Sequence, residues 1–293
     1  MNNKYKVVII GCGVAGMTAA LYLNRAGIDC VILEKSMPGG QIVDNGNIMN
    51  FPSYESISGS DLALKMLKQI TDLGVPVKYE EVIDIKVDKG KKVITSKGDY
   101  ICDYVIIATG RKPKLLGVKG EDELRTKGIS YCAVCDGSLY KDKNVVVVGA
   151  SDAAFEGAIY LSKLASSVTV LYRNEFRAKA YLQEIIKKID NISFVRGEVA
   201  SFSKDDKITI KTKDDKNIIT DGVFIYIGQV PNANFASELN ILDDKGYIKT
   251  DNNLMTSIDG IYAIGDSLNK NDYQIVIAMG EAARVALEIS RKV

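Results

Sequence analysis

The chain has 293 residues, a formal net charge of +1 and no histidine. The lack of histidine excludes Ser-His-Asp triads, Cys-His dyads and His-ligated zinc sites. The balanced charge produces no field that would attract nucleic acid or an anionic membrane. No apolar run reaches the ~18 residues of a membrane span, and the N-terminal apolar run leads into a glycine turn rather than a signal peptide cleavage site. We therefore expect a cytoplasmic protein of about two domains, with neither a nucleic-acid nor a membrane partner.

The N-terminal segment has the pattern of a dinucleotide-binding βαβ unit. An apolar strand at Lys6–Ile10 runs into GCGVAG at Gly11–Gly16, and a helix at Met17–Arg25 and a strand at Cys30–Lys35 follow. The first glycine permits the tight turn, the second lets a pyrophosphate approach the backbone, and the third lets the helix pack on the strand. Glu34 lies about 20 residues beyond the turn, where an acid binds a ribose with a free 2′-hydroxyl. This arrangement favours FAD or NAD over NADP.

A helix and several short strands follow this unit. The sequence predicts a helix around Ser60–Leu73, short alternating strands around Val82–Ile101 and an apolar strand over Tyr104–Gly110. The polar loop Arg111–Lys114 comes next, and its composition is typical of a hinge between domains.

Two of the five cysteines stand close together. Cys132 and Cys135 are separated by two residues in YCAVCDG. This spacing permits a disulfide and suits a two-electron dithiol couple. A zinc site needs four ligands, and the chain offers no second CxxC and no histidine, so a redox pair is favoured over a metal site. Two buried, inert cysteines are the remaining alternative. Asp136 follows directly and is a natural proton donor or acceptor.

A second nucleotide-type unit begins at the strand Val145–Val148. A helix over Ala153–Leu164 and a strand over Val168–Arg173 complete it. Its turn keeps Gly149 but has Ser151 where the pattern requires the second glycine. The serine side chain stands where backbone should contact a pyrophosphate. The second strand ends without an acid, so NAD is not indicated as a replacement ligand.

The last part of the chain alternates strands and then ends in a helix. Strands are predicted between Ile192 and Ile227, and the motif GIYAIGD at Gly260–Asp266 precedes a final helix over Gln274–Ile289. Two nucleotide-type units interleaved with small antiparallel strands predict an α/β protein. Its fold class is two Rossmann-like, three-layer ββα domains of nucleotide-binding type, one inserted in the other.

Several motifs occur in a fixed order along the chain. They are GCGVAG, GGQI at Gly39–Ile42, IMNFPSYESISGSDL around Asn50, ATG at Ala108–Gly110, CAVCDG, IGQVPN and AIGD at Ala263–Asp266. In combination they resemble the low-molecular-weight thioredoxin reductases. The resemblance implies an FAD-binding domain of residues 1–113 and 244–293, and an inserted domain of residues 114–243 with the CxxC and a degenerate NADPH-type site. It also implies a homodimer whose CxxC passes electrons from FAD to thioredoxin.

The resemblance further implies which residues bind FAD. The turn Gly11–Gly16 matches the pyrophosphate site, Glu34 the ribose acid and Asp266 the acid that bonds the ribityl chain. Gln274 begins a helix whose N-terminus faces the flavin pyrimidine, where its dipole stabilises negative charge. The implied cofactor residues are Gly11, Gly13, Val14, Ala15, Gly16, Glu34, Lys35, Gly40, Gln41, Asn50, Val82, Ala108, Thr109, Gly110, Gly265, Asp266, Gln274 and Ile275.

The resemblance also divides the catalytic roles. Cys135 matches the thiol next to the flavin, and Cys132 matches the thiol that attacks the partner disulfide. Asp136 matches the acid–base residue. The spacing of the cysteines alone does not assign these roles.

The chain departs from ordinary members of this family at the second unit. Those members have an intact glycine turn, where this chain has Ser151, and then an HRRxxxR stretch for the 2′-phosphate of NADPH. The corresponding segment Leu171–Arg177 is one residue shorter, with Tyr172 and Asn174 in place of the histidine and the second arginine. Tyr273 also replaces the arginine that usually stands just before the last helix. These departures resemble the ferredoxin-dependent flavin thioredoxin reductases, which keep FAD and CxxC but lack the nucleotide motifs.

Three functions follow from these residues. The leading hypothesis is an FAD enzyme that reduces thioredoxin with electrons from ferredoxin. The alternative is an NADPH-dependent thioredoxin reductase with a divergent pocket, for which Arg173 and Arg177 remain available. The third is a flavin-binding interaction module without catalysis, which is least favoured because CAVCDG is intact.

Overall fold

A computed structural model describes residues 3–44, 48–88, 90–125 and 127–293 of the chain. The chain forms two compact units. The first unit contains Met1–Lys112 and Val230–Val293, and the second contains Pro113–Gln229. Each unit is built from one glycine turn and the elements that pack around it.

The first unit begins with the predicted βαβ segment and continues through a helix and a meander of strands. Helix α1 begins earlier than the sequence predicts because Val14 to Gly16, assigned to the turn, are already helical. In chain order the elements are β1 (Lys4–Ile10), α1 (Val14–Arg25), β2 (Cys30–Glu34), a 3-10 helix (Gly40–Asp44), α2 (Gly59–Asp72), β3 (Val77–Tyr79), β4 (Val82–Val87), β5 (Lys91–Thr95), β6 (Asp99–Ile107) and β7 (Arg111–Pro113).

The second unit contains the cysteine pair and the second nucleotide-type segment. Its elements are α3 (Glu121–Leu124), β8 (Ile129–Ser130), α4 (Ala133–Asp136), a 3-10 helix (Gly137–Tyr140), β9 (Asn144–Val148), α5 (Asp152–Ser162), β10 (Ser167–Tyr172), α6 (Ala180–Ile186), β11 (Ile192–Arg196), β12 (Val199–Lys204), β13 (Ile208–Thr212), β14 (Asn217–Thr220) and β15 (Gly222–Ile225). The chain then returns to the first unit through β16 (Gln229–Pro231), a 3-10 helix (Asn234–Leu239), β17 (Ile261–Ala263), a 3-10 helix (Gly265–Ser267) and α7 (Ile275–Ser290).

The sheet of the first unit has the order β3-β2-β1-β6-β5-β4, and β17 pairs with the carboxyl-terminal half of β6. Strands β1, β2, β3, β6 and β17 are parallel, whereas β4 and β5 are antiparallel. Side chains alternate along β1, as the period of two requires. Val7 and Ile9 enter one core with α1 and α7 residues, and Val8 and Ile10 enter a second core with β4 and β5 residues.

The second unit repeats this plan. Its parallel sheet has the order β11-β10-β9-β15-β8, and β12, β13 and β14 form a separate antiparallel sheet. Val145 and Val147 of β9 pack with α5 residues, and Val146 and Val148 pack with residues of the antiparallel layer. Both units therefore have the predicted three-layer ββα arrangement, which confirms the fold class.

The return from the second unit to the first lies earlier than the sequence-based boundary between residues 243 and 244. Residues after Gln229 already pack with the first unit: Ala233, Ala236 and Ile241 are buried in its β4–β5 core. The Asn232 N–H also donates to the carbonyl of Gly110 (3.0 Å). This packing is long-range, so the local sequence pattern does not report the boundary.

Among the helices of the described residues, none is long and apolar enough to cross a membrane.

Candidate cofactor and redox sites

The glycines of the first turn fall into two groups. Gly11 has φ +104°, and a Cβ there would collide with the backbone of Ala108; a Cβ on Gly16 would collide with the carbonyl of Gly11. The fold itself thus requires these two glycines. Gly13 has φ −80° and ψ −174°, which any residue adopts, and a Cβ there would come no closer than 3.9 Å to a described protein atom. The space that Gly13 leaves open is a cradle that a ligand can fill.

A pocket lies at the carboxyl ends of β1 and β2, beside this turn. The Glu34 carboxylate lines it and accepts hydrogen bonds from the N–H groups of Cys12 (2.7 Å) and Ser36 (2.9 Å). A carboxylate has about four acceptor positions, so Glu34 retains capacity for ribose hydroxyls. The implied cofactor residues that line this pocket are Gly11, Glu34, Lys35, Val82 and Thr109.

A second group of implied cofactor residues is brought together from distant parts of the sequence. The Gln41 amide donates to Asp266 (3.4 Å), and the Asn50 amide donates to the Gln274 side chain (2.9 Å). Gln274 is the N-cap of α7, as the sequence predicts. The first pair joins the 3-10 segment after β2 to the turn at Gly265–Ser267, and the second joins the loop at Asn50 to the start of α7.

The turn that carries Asp266 is fixed by neighbouring groups. The Gly265 N–H donates to Glu281 (2.7 Å), whose carboxylate also pairs with Lys270 (2.9 Å). A Cβ on Gly265 would lie 3.2 Å from Ala15 Cβ, so this turn approaches α1 closely. The remaining implied residues are Val14 and Ala15 in α1, Gly40 in the 3-10 helix after β2, Ala108 and Gly110 after β6, and Ile275 in α7.

Two buried polar atoms near these residues have no partner within the described chain: Thr109 Oγ1 and Arg111 Nε. Buried donors and acceptors are normally paired, and an unpaired one indicates a missing ligand or water. The open cradle at Gly13, the acid Glu34 and these two atoms lie within the first unit. The residues present fit FAD.

The sequence did not single out Arg111, yet this residue contacts one of the implied cofactor residues. The sequence places it in a hinge loop, but its guanidinium pairs with Asp266 (2.9 Å) and lies 3.7 Å from the ring centroid of Tyr273. The boundary between the two units, after Lys112, lies within the predicted hinge loop Arg111–Lys114, and the Arg111 side chain contacts residues of the first unit. No local pattern in the sequence could have shown this contact, because Asp266 and Tyr273 are more than 150 residues away from Arg111.

The cysteine pair is a disulfide in the structure, with Cys132 and Cys135 Cα atoms 5.4 Å apart. Several hydrogen bonds hold the turn. Cys132 Sγ accepts from the Cys135 N–H (3.0 Å), the Ser130 hydroxyl accepts from the Cys132 N–H (3.0 Å), and the Tyr226 hydroxyl accepts from the Ala133 N–H (2.7 Å). Cys135 is exposed and Cys132 is half-buried. The pair is accessible from solvent.

The other cysteines differ from this pair. Cys12, Cys30 and Cys102 are buried thiols. Burial, with a smaller contribution from the nearby Glu34 carboxylate, raises the pKa of Cys12 to about 12. Burial likewise raises the pKa of Cys30 and of Cys102 to about 12. A thiol with such a pKa stays protonated and unreactive at neutral pH.

Asp136 ends helix α4 immediately after the pair and is half-buried. Burial and, to a smaller extent, the Asp136 charge raise the pKa of Tyr140. Asp136 thus stands on the same short helix as Cys135.

The turn of the second unit has the backbone of a nucleotide site. Gly149 has φ +145°, and a Cβ there would collide with the Tyr226 carbonyl. Ser151 is the N-cap of α5 with φ −94° and ψ 175°. Ala154, at the third small position, is buried. The backbone at Ser151 is thus unstrained. Any effect of the serine on nucleotide binding comes from the side chain that it adds at the turn.

The shortened segment after β10 lies against this turn. The Ala150 carbonyl accepts hydrogen bonds from the N–H groups of Arg177 (2.8 Å) and Ala178 (3.1 Å). Arg173 lies 3.8 Å from the Glu198 carboxylate and is exposed. One of the two arginines left in this segment therefore already has an acidic neighbour.

Comparisons with known proteins agree with this geometry. A model of the pyridine nucleotide-disulphide oxidoreductase family matches residues 5–283. The thioredoxin reductase of Listeria monocytogenes is 40% identical over 287 residues, which are 94% of this chain and 90% of that protein. The chain belongs to the thioredoxin reductase family. It is a flavoprotein disulfide oxidoreductase, and its cofactor is FAD.

Two solved structures of related proteins are similar to this chain in fold. The thioredoxin reductase of Lactococcus lactis matches with a TM-score of 0.88 and 38% identity, over 98% of each chain. A ferredoxin-flavin thioredoxin reductase from Clostridium acetobutylicum matches with a TM-score of 0.55 and 29% identity, over 99% of this chain and 98% of that chain.

Proposed function

We propose that this protein reduces thioredoxin with electrons from ferredoxin, through FAD in the first unit and the Cys132–Cys135 disulfide in the second. FAD, when bound, exchanges electrons one at a time or in pairs and so connects a one-electron donor to a disulfide. Two electrons and two protons convert the disulfide into two thiols. The resemblance supports the wider proposal of a homodimer.

The chemistry at the dithiol is thiol–disulfide exchange. Cys132, as a thiolate, attacks the thioredoxin disulfide, forms a mixed disulfide and releases one thioredoxin thiolate. Cys135 then attacks the mixed disulfide, which releases the second thioredoxin thiolate and restores the Cys132–Cys135 bond. Asp136, half-buried beside the pair, is the proposed group that moves the protons.

The difference between Gly13 and Ser151 is the main support for ferredoxin, rather than NADPH, as the electron donor. Both residues begin the first helix of a nucleotide-type turn with the same extended backbone. Among the residues that the structure describes, none comes close enough to require a glycine at position 13, yet the residue is glycine, as a bound pyrophosphate demands. The second unit has a serine at the matching position. This contrast supports a ligand at the first turn and none at the second.

The segment that would hold the 2′-phosphate supports the same conclusion. By the resemblance, Asn174 stands in place of an arginine and Tyr172 in place of a histidine. The Tyr172 ring packs edge-on against Phe176, with the ring centroids 4.7 Å apart. Each lost charge-assisted contact costs roughly 1.5–3 kcal/mol. With the serine, the losses weaken NADPH binding on the order of 10³-fold or more, at about 1.4 kcal/mol per tenfold.

NADPH as the donor is the second candidate. The exposed Arg173 and Arg177 favour it, as does the 38–40% identity to proteins named simply thioredoxin reductase. Steady-state reduction of thioredoxin separates the two donors. We expect turnover with reduced ferredoxin, and a kcat/KM for NADPH that is lower on the order of 10³-fold than an intact nucleotide site would give. The Cys135→Ser variant, expected to be inactive with both donors, is the control for flavin-mediated background.

A further inference from the structure

Arg111 holds a fixed position in the first unit. Its Nη2 lies 2.9 Å from Asp266 Oδ2, and each of the two side chains is 19% exposed. Its guanidinium carbon lies 3.7 Å from the centroid of the Tyr273 ring. An ion pair on one side and a stacked ring on the other restrict both the position and the plane of this group.

The guanidinium also has a donor to spare. Arg111 Nε is buried and lacks a partner among the residues that the structure describes. Thr109 Oγ1, two residues earlier, is in the same situation. The two residues flank Gly110 in the sequence. The Gln41 amide lies near Gly110, 3.5 Å from where a Cβ would stand, and it also donates to Asp266. Polar groups from two segments, Arg111 after β6 and Gln41 after β2, therefore contact the acid that the FAD site uses.

Among the described residues around Asp266, the Arg111 guanidinium is the positive charge that pairs with this acid. Lys270 is paired with Glu281 at 2.9 Å. Burial, followed by the Tyr273 hydroxyl, raises the pKa of Tyr247, and the Arg111 guanidinium opposes this shift. Tyr273 occupies the position that is arginine in ordinary relatives, and Arg111 brings a guanidinium to that ring from strand β7.

We propose that Arg111 is a cofactor-positioning residue. Stacked on the Tyr273 ring, it holds the Asp266 carboxylate in place and supplies a positive charge and an Nε–H donor to FAD. The proposal rests on FAD binding by the first unit and not on the identity of the electron donor. A positive charge beside Asp266 offsets the carboxylate, and so lowers the electrostatic penalty for the negative charge that reduction adds to the cofactor.

The test compares Arg111→Gln, Arg111→Lys and the matched control Lys112→Gln, an exposed residue of the same strand. Two quantities are measured: the FAD dissociation constant of apoprotein, by fluorescence titration, and the two-electron midpoint potential against a reference dye. We expect Arg111→Gln to weaken FAD binding by about 10- to 100-fold. Its reduced FAD should lose tenfold more affinity than oxidised FAD, a fall of about 30 mV.

The conservative variant separates positioning from stability. Arg111→Lys keeps the charge but loses the planar stack and the Nε–H, so we expect FAD binding about 3- to 10-fold weaker with a potential near that of wild type. Wild-type values of both quantities in Arg111→Gln would overturn the proposal. If Arg111→Gln does not fold, Tyr273→Leu against Tyr273→Phe gives the answer: weaker FAD binding in the leucine variant alone supports the proposal, and equal binding in both overturns it.

Discussion

Gly13 and Ser151 begin helices α1 and α5 with nearly the same backbone angles, φ −80° and ψ −174° against φ −94° and ψ 175°. The backbone therefore does not explain why one is glycine and the other serine. A Cβ on Gly13 would also meet no described protein atom within 3.9 Å. The difference between the two positions lies in what approaches them from outside the chain.

Gly13→Ala should separate cofactor binding from folding. The added methyl enters the pyrophosphate cradle, so we expect the FAD dissociation constant to rise by about 30-fold or more, equivalent to about 2 kcal/mol. The same change restricts the unfolded chain and should stabilise the apoprotein by about 0.4–1 kcal/mol. FAD content after gel filtration and the melting temperature of the apoprotein are the measurements. Ser151→Ala is the matched control and should keep full FAD content; full FAD content in Gly13→Ala would show that the first turn does not hold the pyrophosphate.

Ser151→Gly combined with Asn174→Arg should restore part of the response to NADPH. The glycine reopens the second turn, and the arginine returns one charge-assisted contact worth roughly 1.5–3 kcal/mol. We expect the rate of flavin reduction at subsaturating NADPH to rise by about tenfold or more. The control is Ser151→Ala with Asn174→Gln, which supplies neither feature. No gain in the first variant would indicate that these two residues do not limit NADPH use.

Removal of one cysteine at a time should distinguish the proposed roles of the pair. Cys132→Ser leaves the Cys135 thiol as the sole sulfur of the site, and we expect a long-wavelength charge-transfer band between its thiolate and FAD. Cys135→Ser should lack this band, and both variants should lose thioredoxin reduction. Absorbance spectra after mild reduction and thioredoxin assays provide the data. A band in Cys135→Ser alone would reverse the two roles, and wild-type turnover in either variant would contradict a dithiol mechanism.

The three buried thiols should be silent in the folded protein. With a pKa of about 12 at Cys12, Cys30 and Cys102, only about 10⁻⁴ of each is thiolate at pH 8. A thiol reagent should therefore label two cysteines in reduced native protein and five after denaturation. Unfolded thiols ionise near pH 9 while the folded ones keep their protons, so the free energy of unfolding should fall as the pH rises from about 9 to 12. Rapid labelling of a third cysteine in native protein at pH 8 would contradict this assignment.

The sequence predicts most of the fold because both βαβ units depend on local patterns. Valine and isoleucine runs followed by small-residue turns locate β1, β9 and the helices after them, and the alternation along β1 and β9 separates the two faces of each sheet. The second domain boundary was less accurate. Residues after Gln229 join the first unit through long-range packing of Ala236 and Ile241, which no local pattern reports.

The candidate site also contains residues that the sequence predicts and one that it does not. Glu34 and the glycine turn follow from spacing, because the turn and the strand end are fixed by the βαβ unit. Arg111 does not, because its partners Asp266 and Tyr273 are more than 150 residues away in sequence. A basic residue in a polar loop is usually solvated, and only the structure places this one beside an acid and on an aromatic ring.

The most direct test of the proposed function is anaerobic stopped-flow reduction of the FAD-loaded enzyme, followed by the loss of flavin absorbance. Separate mixing with reduced ferredoxin, millimolar NADPH and millimolar NADH compares the donors on one preparation. The proposal predicts rapid bleaching by ferredoxin and bleaching by either nucleotide that is too slow to support turnover. Rapid bleaching by NADPH, at a rate that supports thioredoxin reduction, would contradict it and identify the protein as an NADPH-dependent thioredoxin reductase.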